Sequence, residues 1–207
     1  MQFGVVLNSF LFSSVHAHEL GSGASKSPSE LIIRPAQLED ISELGDVVTQ
    51  SFHADSGLSF WFYPLLKLGV CEDLRTRFRS AMPNYTCLLA IKPANQLTGE
   101  TEQIVGTVEL SVRSACYWYL RKRYPYIANL AVTHNYRRKG VASRLLRKCE
   151  QIAYSWGFET IYLHVLENNH RAQKLYFCHG YTINQVESSL SSWLIRTPRR
   201  LFLQKSL

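Results

Sequence analysis

The stretch from Asn129 to Ala142 constrains the fold of this chain more than any other. It reads Asn129-Leu130-Ala131-Val132-Thr133-His134-Asn135-Tyr136-Arg137-Arg138-Lys139-Gly140-Val141-Ala142: an apolar strand, a short turn, then a basic, glycine-containing start to a helix. The apolar positions that follow, Val141, Leu145, Leu146, Cys149, Ile152, Ala153 and Trp156, recur at three- and four-residue intervals. One face of this helix is therefore committed to a core, and Arg144, Arg147, Lys148, Glu150 and Gln151 lie off the stripe. Such a junction presents unpaired backbone N–H groups at the positive end of a helix dipole, a natural seat for phosphate. The spacing Arg137-x-x-Gly140-x-Ala142 lets the backbone approach that group closely, because neither Gly140 nor Ala142 carries a bulky side chain. Taken alone, the pattern fits equally well a plain helix start whose basic residues face solvent.

The surrounding chain alternates strands and helices. Gly157 stands where a left-handed residue ends the helix, and Thr160-Ile161-Tyr162-Leu163-His164-Val165 reads as a strand. A second helix, from about Arg171 to His179, closes at Gly180. Earlier, Leu31 to Arg34 reads as a strand, followed by a helix with an Ile41/Leu44/Val47/Val48 stripe. Residues 57–82 carry a helical region that begins with Phe60-Trp61-Phe62-Tyr63-Pro64. Two strands, Cys87 to Ile91 and Ile104 to Val112, are joined by a hairpin around Leu97-Thr98-Gly99. Glu109 sits within the second, otherwise apolar strand. The segment from Tyr181 to Pro198 has no readable pattern, and Arg200 to Lys205 is expected to close the sheet. This order predicts an α/β fold (α+β mixed sheet) with helices on both faces of a central sheet.

At 207 residues the chain fits one domain, expected over residues 31–207 behind a flexible extension at residues 1–30. That extension lacks Lys and Arg before Lys26, unlike a signal peptide, and its apolar run from Phe3 to Val15 is shorter than a membrane span. Targeting remains the alternative reading of the extension. Five scattered cysteines, Cys71, Cys87, Cys116, Cys149 and Cys178, form no C-x-x-C pair, which points to reduced thiols and no zinc site. The net charge of +7 gathers at Arg121-Lys122-Arg123, Arg137-Arg138-Lys139 and a tail with Arg196, Arg199, Arg200 and Lys205. A nucleic-acid patch is one explanation. The middle cluster, however, lies where the phosphates of a nucleotide-bearing ligand would sit, and no nucleic-acid motif accompanies the charge.

The junction at Arg137-x-x-Gly140-x-Ala142 resembles the pyrophosphate loop of the GNAT acetyltransferase superfamily. A second pattern, Val165-x-x-Asn168-Asn169-x-x-Ala172-x-x-Leu175-Tyr176-x-x-x-Gly180-Tyr181, resembles that superfamily's next strand end and helix. The opening Leu31-Ile32-Ile33-Arg34-Pro35-Ala36 resembles its first strand, so three motifs stand in the family's order, most like plastid and cyanobacterial members. The resemblance implies the GNAT acyl-CoA N-acyltransferase fold, acetyl-CoA as co-substrate, and direct transfer to an amine acceptor. Protein lysines or protein N-termini are the implied acceptors, and a serotonin-type arylalkylamine is the alternative. No metal or membrane partner is implied, the oligomer is a monomer or homodimer, and the compartment is the cytoplasm or else the plastid stroma. An acyl-CoA-binding sensor without turnover, or a basic nucleic-acid-binding module on the same fold, are the readings outside catalysis.

Acetyl transfer needs a neutral amine, although a free lysine has a pKa of about 10.4. It also needs donors for charge developing on the carbonyl oxygen and an acid for the departing thiolate. By the resemblance, the strand Leu130-Ala131-Val132 meets the acetyl and pantetheine groups, with the amides of Leu130 and Val132 as donors. The backbone of Arg138, Lys139, Gly140, Val141, Ala142 and Ser143, with Arg137, would hold the pyrophosphate, and Asn169, or Asn168 beside it, the pantetheine amides. Tyr176 takes the family's acid position. Twelve residues before it, where ribosomal-protein acetyltransferases often carry Glu, this chain has His164, a candidate general base whose ordinary pKa is about 6.5. Alternation puts His164 and Tyr162 on one strand face, with Leu163 and Val165 on the other. A hydrogen-bonded structural histidine is an equal reading, and Glu109 is the rival base. Phe60, Trp61, Phe62, Tyr63 and Trp193 are the expected acceptor-side aromatics, with a core role for some of them as the competing reading.

Overall fold

Strand β2 (Tyr85–Lys92) shows how the sequence organises the sheet, because its side chains are buried on both sides. Leu88 and Ala90 enter one apolar cluster, while Cys87, Leu89 and Ile91 enter another. The structure, a computed structural model, describes residues 31–52, 72, 75–77, 84–94, 99, 101–117, 120–187 and 198–207. Around β2 lie β1 (Ile32–Pro35), β3 (Gln103–Tyr117), β4 (Leu120–Val132), β5 (Thr160–Leu166), β6 (Thr182–Glu187) and β7 (Arg200–Ser206). They form one seven-stranded sheet in the order β1-β2-β3-β4-β5-β7-β6. Only the β4–β5 pair is parallel; the other neighbours are antiparallel.

Helix α1 (Ile41–Phe52) covers one face of the sheet, where Leu44 and Val47 pack on Leu89, Ile91 and Ile104. Two helices, α2 (Val141–Ser155) and α3 (His170–Cys178), cover the other. The predicted stripe of α2 is buried at Val141, Leu145, Leu146, Cys149 and Ala153, and each leucine contributes about 1.5–3 kcal/mol by leaving water. Cys149 is thus packing, as expected, whereas Cys178 is exposed. Gly157, with φ 85°, supplies the left-handed residue after α2, and Gly180, with φ 84°, does so after α3. The helix also docks through polar contacts, since Lys205 Nζ donates to Glu150 Oε2 over 2.7 Å and Tyr181 Oη donates to Glu150 Oε1 over 3.2 Å.

The mixed sheet with helices on both faces agrees with the expectation from sequence. Two points differ. The segment after Tyr181 contains β6, whose residues are exposed from Thr182 to Val186 and so lack the inward period that marks a strand. Strand β7 then does not close the sheet at an edge but inserts between β5 and β6, which becomes the edge. The expected extension at residues 1–30, most of the helical region at 57–82, the aromatics at 60–63 and Trp193 lie outside the described residues.

Gly106 is what lets α2 come so close to β3. A Cβ there would lie 3.0 Å from Val141 Cγ1, 3.1 Å from the Ala131 carbonyl oxygen and 3.3 Å from Leu145 Cδ1. Gly106→Val is therefore expected to overpack the sheet–helix joint and cost about 1–3 kcal/mol, read as a lower midpoint in urea denaturation.

Candidate functional site: the cleft between β4 and β5

A bulge in β4 creates the site. Thr107 pairs with Ala131 but Glu109 pairs with Ala128, so β4 carries one residue more than β3 across this interval. The extra length is taken up at Asn129, whose backbone is left-handed at φ 51°, a conformation asparagine tolerates better than most residues. Its Nδ2 donates to Glu109 Oε1 over 2.6 Å, and Glu109 Oε2 accepts from Arg77 Nη1 at 2.8 Å and Tyr85 Oη at 3.2 Å. Beyond the bulge β4 leaves its parallel neighbour: pairing with β5 is confined to Tyr126 with Tyr162 and Ile127 with Leu163.

The parting of the strands opens a cleft. Leu130 and Asn129 line it from β4, His164 and Val165 from β5, and Asn169 and Tyr176 from α3 and its N-cap. Asn169 is buried because its Oδ1 caps the helix, accepting from the Ala172 N–H over 3.1 Å. Tyr176 is buried and packs edge-to-face on Tyr181, with ring centroids 5.8 Å apart. Burial pushes its phenol well above the usual tyrosine pKa. The structure thus brings His164 and Tyr176 to one cleft. Glu109 does not line it; the three donors above occupy its carboxylate.

At the start of α2 the backbone takes left-handed turns at Arg138, φ 63°, and Gly140, φ 79°. The first intrahelical bond runs from the Arg144 N–H to the Gly140 carbonyl, so the amides of Val141, Ala142 and Ser143 have no acceptor within the helix. Arg138, Lys139 and Gly140 are exposed, and His134 is exposed in the preceding turn. Arg137 instead turns back, its Nε donating to the Val132 carbonyl over 3.2 Å. The Val141 side chain is in the core, and Ser143 shares a 2.8 Å hydrogen bond with His179 Nε2. An open loop of N–H groups ringed by basic residues, continuous through β4 with a cleft, suits an elongated ligand that carries phosphates at one end.

His164 has a setting that its own segment does not reveal. It lies on the strand face opposite Leu163 and Val165, as alternation predicts, where Tyr126 Oη lies 2.8 Å from its Nδ1 and Glu187 Oε1 lies 3.0 Å from its Nε2. Arg113 stacks over the Tyr126 ring at 3.5 Å, and Arg200 Nε stands 3.9 Å from Glu187 Oε2. Burial lowers the His164 pKa, partly offset by the hydrogen bond to Glu187. Beside it, Tyr124, Tyr162 and Phe202 form an aromatic wall, with Tyr162 and Phe202 stacked at 5.2 Å. Sequence reading missed Tyr126, Glu187, Arg113 and Arg200, because cross-strand register alone joins them.

The sequence profile of the Acetyltransferase (GNAT) family matches residues 68–181, more than half of the chain. The chain belongs to the GNAT acetyltransferase family. Among characterised GNAT relatives, it is 27% identical over 173 residues to GCN5-related N-acetyltransferase 10, chloroplastic, of Arabidopsis thaliana, covering 81% of this chain and 68% of the relative. It is 29% identical over 179 residues to GCN5-related N-acetyltransferase 4, chloroplastic, of the same plant, covering 73% of this chain and 60% of that relative. The chain therefore spans about two thirds of the length of these relatives. Its fold is shared with the PaiA N-acetyltransferase of Thermoplasma acidophilum in complex with coenzyme A, at TM-score 0.61 and 18% identity over 86% of this chain and 99% of that one. It is shared likewise with the ribosomal-protein-alanine N-acetyltransferase of Brucella melitensis, at TM-score 0.59 and 18% identity over 86% and 100%. The family's co-substrate is acetyl-CoA. Among the described residues, no group of three or more His, Cys, Asp or Glu side chains is placed to hold a metal, and no helix is long and apolar enough to cross a membrane.

The depressed pKa of His164, and that of His179, sets a pH dependence of stability. Each folded-state value lies below the unfolded one of about 6.5. The stabilising contribution is therefore complete above that pH and is lost as pH falls through the folded values. Stability measured by denaturation should drop as pH falls below about 6.5, and His164→Gln should shrink that drop.

Proposed function

We propose that this GNAT protein transfers acetyl from acetyl-CoA to a primary amine carried by a protein, either a lysine side chain or an N-terminus. The observation that carries the reading is the meeting of His164 and Tyr176 in the cleft that the β4 bulge opens. Acetyl-CoA supplies a thioester whose carbonyl carbon an amine can attack. The chain does the rest. Backbone amides from Arg138 to Ser143 hold the pyrophosphate, and Arg138 and Lys139 add positive charge beside it. Arg137 acts through its bond to Val132, fixing the loop against β4. The amides of Leu130 and Val132, with Ala131 between them, would serve as donors to the acetyl carbonyl. Asn169, its Oδ1 already committed to the cap, offers its NH2 to a pantetheine carbonyl.

Tyr176 is the acid. A phenol whose pKa burial has raised stays protonated at neutral pH and can donate to a departing thiolate. His164 is favoured over Glu109 as the base, because His164 lines the cleft and Glu109 is engaged in holding the bulge. The wall of Tyr124, Tyr162 and Phe202 suits the aliphatic stem of a lysine, and it also supports a second reading, an arylalkylamine acceptor. The tail's basic charge fits less well with a nucleic-acid patch, since Arg199 pairs with Glu167 and Lys205 with Glu150. The chloroplastic naming of the Arabidopsis relatives favours the plastid stroma as the compartment.

The test is thiol release from acetyl-CoA with lysine peptides, peptides bearing free N-termini, and serotonin. Amine-dependent release is expected, and Tyr176→Phe should lower kcat about 100-fold or more while acetyl-CoA affinity holds. Acetyl-CoA binding without release for any amine would overturn the reading in favour of a sensor.

A further inference from the structure

We propose that Tyr126, His164 and Glu187 form a proton relay in which the Tyr126 hydroxyl, rather than the imidazole, meets the acceptor amine, with Glu187 as the positioning residue. The inference rests on the acetyl-transfer reading and specifies the path by which the amine's proton leaves.

The geometry points to this order. Both ring nitrogens of His164 are taken, Nδ1 by Tyr126 Oη at 2.8 Å and Nε2 by the Glu187 carboxylate at 3.0 Å. A carboxylate can only accept, so Nε2 carries the proton, and Nδ1 is left to accept from the phenol. The arrangement has the logic of a hydroxyl–imidazole–carboxylate triad. Tyr126 and His164 both line the cleft, and with both ring nitrogens engaged the phenol oxygen, which donates its proton to Nδ1, is the member of the pair with lone pairs left to accept from an amine. Charge on each member has a partner. Burial raises the pKa of the Tyr126 phenol, and Arg113, stacked on its ring at 3.5 Å, partly offsets that; burial lowers that of His164, and the hydrogen bond to Glu187 partly offsets it. The Glu187 side chain is 41% exposed, so water solvates its charge while it orients the imidazole.

The step balances as follows. As the amine nitrogen bonds to the thioester carbon, its N–H proton moves to Tyr126 Oη. The phenolic proton moves to His164 Nδ1, forming an imidazolium whose Nε2–H stays bonded to the Glu187 carboxylate. The carbon–sulfur bond breaks, Tyr176 protonates the thiolate, and water restores the Tyr176 proton. Once the amide product leaves, Nδ1 returns its proton to the Tyr126 oxygen and the surplus proton passes from that hydroxyl to water in the cleft.

The charged and titratable groups facing His164 are Tyr126 on β4, Arg113 on β3, Glu187 on β6 and Arg200 on β7. Their signs make the test specific. Tyr126→Phe keeps the ring under Arg113 and removes only the oxygen; kcat is expected to fall about 100-fold with acetyl-CoA affinity unchanged. Glu187→Gln removes the group that raises the His164 pKa, so the acidic limb of the kcat/KM profile should move to lower pH.

Nitrogen NMR of the imidazole, which needs no turnover, gives the second readout. His164 should be the Nε2–H tautomer, titrating at higher pH in Tyr126→Phe and at lower pH in Glu187→Gln. Tyr126→Phe within twofold of wild-type kcat overturns the relay, as does a His164 titration that neither substitution moves. Failure of wild type to acetylate any amine would instead sink the acetyl-transfer reading, with the NMR titrations still deciding whether the three groups are coupled.

Discussion

The hydrogen bond from Asn129 to Glu109 is the contact on which the rest of the site depends. A bulge needs a residue that accepts a left-handed backbone and a tether that holds the bent strand, and Asn129 provides both. Glu109 can be buried there only because Arg77, Tyr85 and Asn129 together satisfy its two oxygens. An apolar residue at 109 would leave the bulge untethered. From this one irregularity follow the short β4–β5 pairing, the cleft, and the approach of α3 to its mouth.

Around the cleft, rigidity and polarity are divided between the two sheet faces. The face under α2 and α3 is an apolar core in which Leu145, Leu146, Leu163 and Leu203 are fully buried, so the loop before α2 and the cap of α3 are anchored to something that does not yield. The opposite face changes character along the sheet. Under α1 it is apolar, but across β4, β5 and β7 it carries Tyr124, Tyr126, Tyr162, His164 and Phe202. That is the surface on which we place the incoming amine. Burial lowers the pKa of its histidine, which two hydrogen bonds orient.

Much of this was legible in the residues. The α2 stripe, the glycines after the helices, the Gly140 loop and the face of His164 all follow from periods of two or 3.6 residues and from residues suited to left-handed backbone. The resemblance carried by Arg137 to Ala142, Val165 to Tyr181 and Leu31 to Ala36 extended that reading to the family. Illegible were β6, whose Thr182-Ile183-Asn184-Gln185-Val186-Glu187 run buries too little to show alternation, and the insertion of β7 beside β5. Glu109 read as the rival base, because nothing near it in the chain announces Arg77 and Asn129 as partners.

The sequence by itself thus determined most of the elements and the glycine-containing turn before α2, since each is encoded within a few turns of chain, and the resemblance singled out Tyr176 and His164, with Glu109 as the rival base. Only the tertiary structure decided what surrounds them. Tyr126 and Glu187 reach His164 from 38 and 23 residues away, and the register of β4 on β5 and the order β5-β7-β6 bring them there. The physical reason is that local backbone preference sets which face a side chain takes, whereas its hydrogen-bond partners across a sheet are set by strand order and a bulge, which depend on the packing of the whole domain.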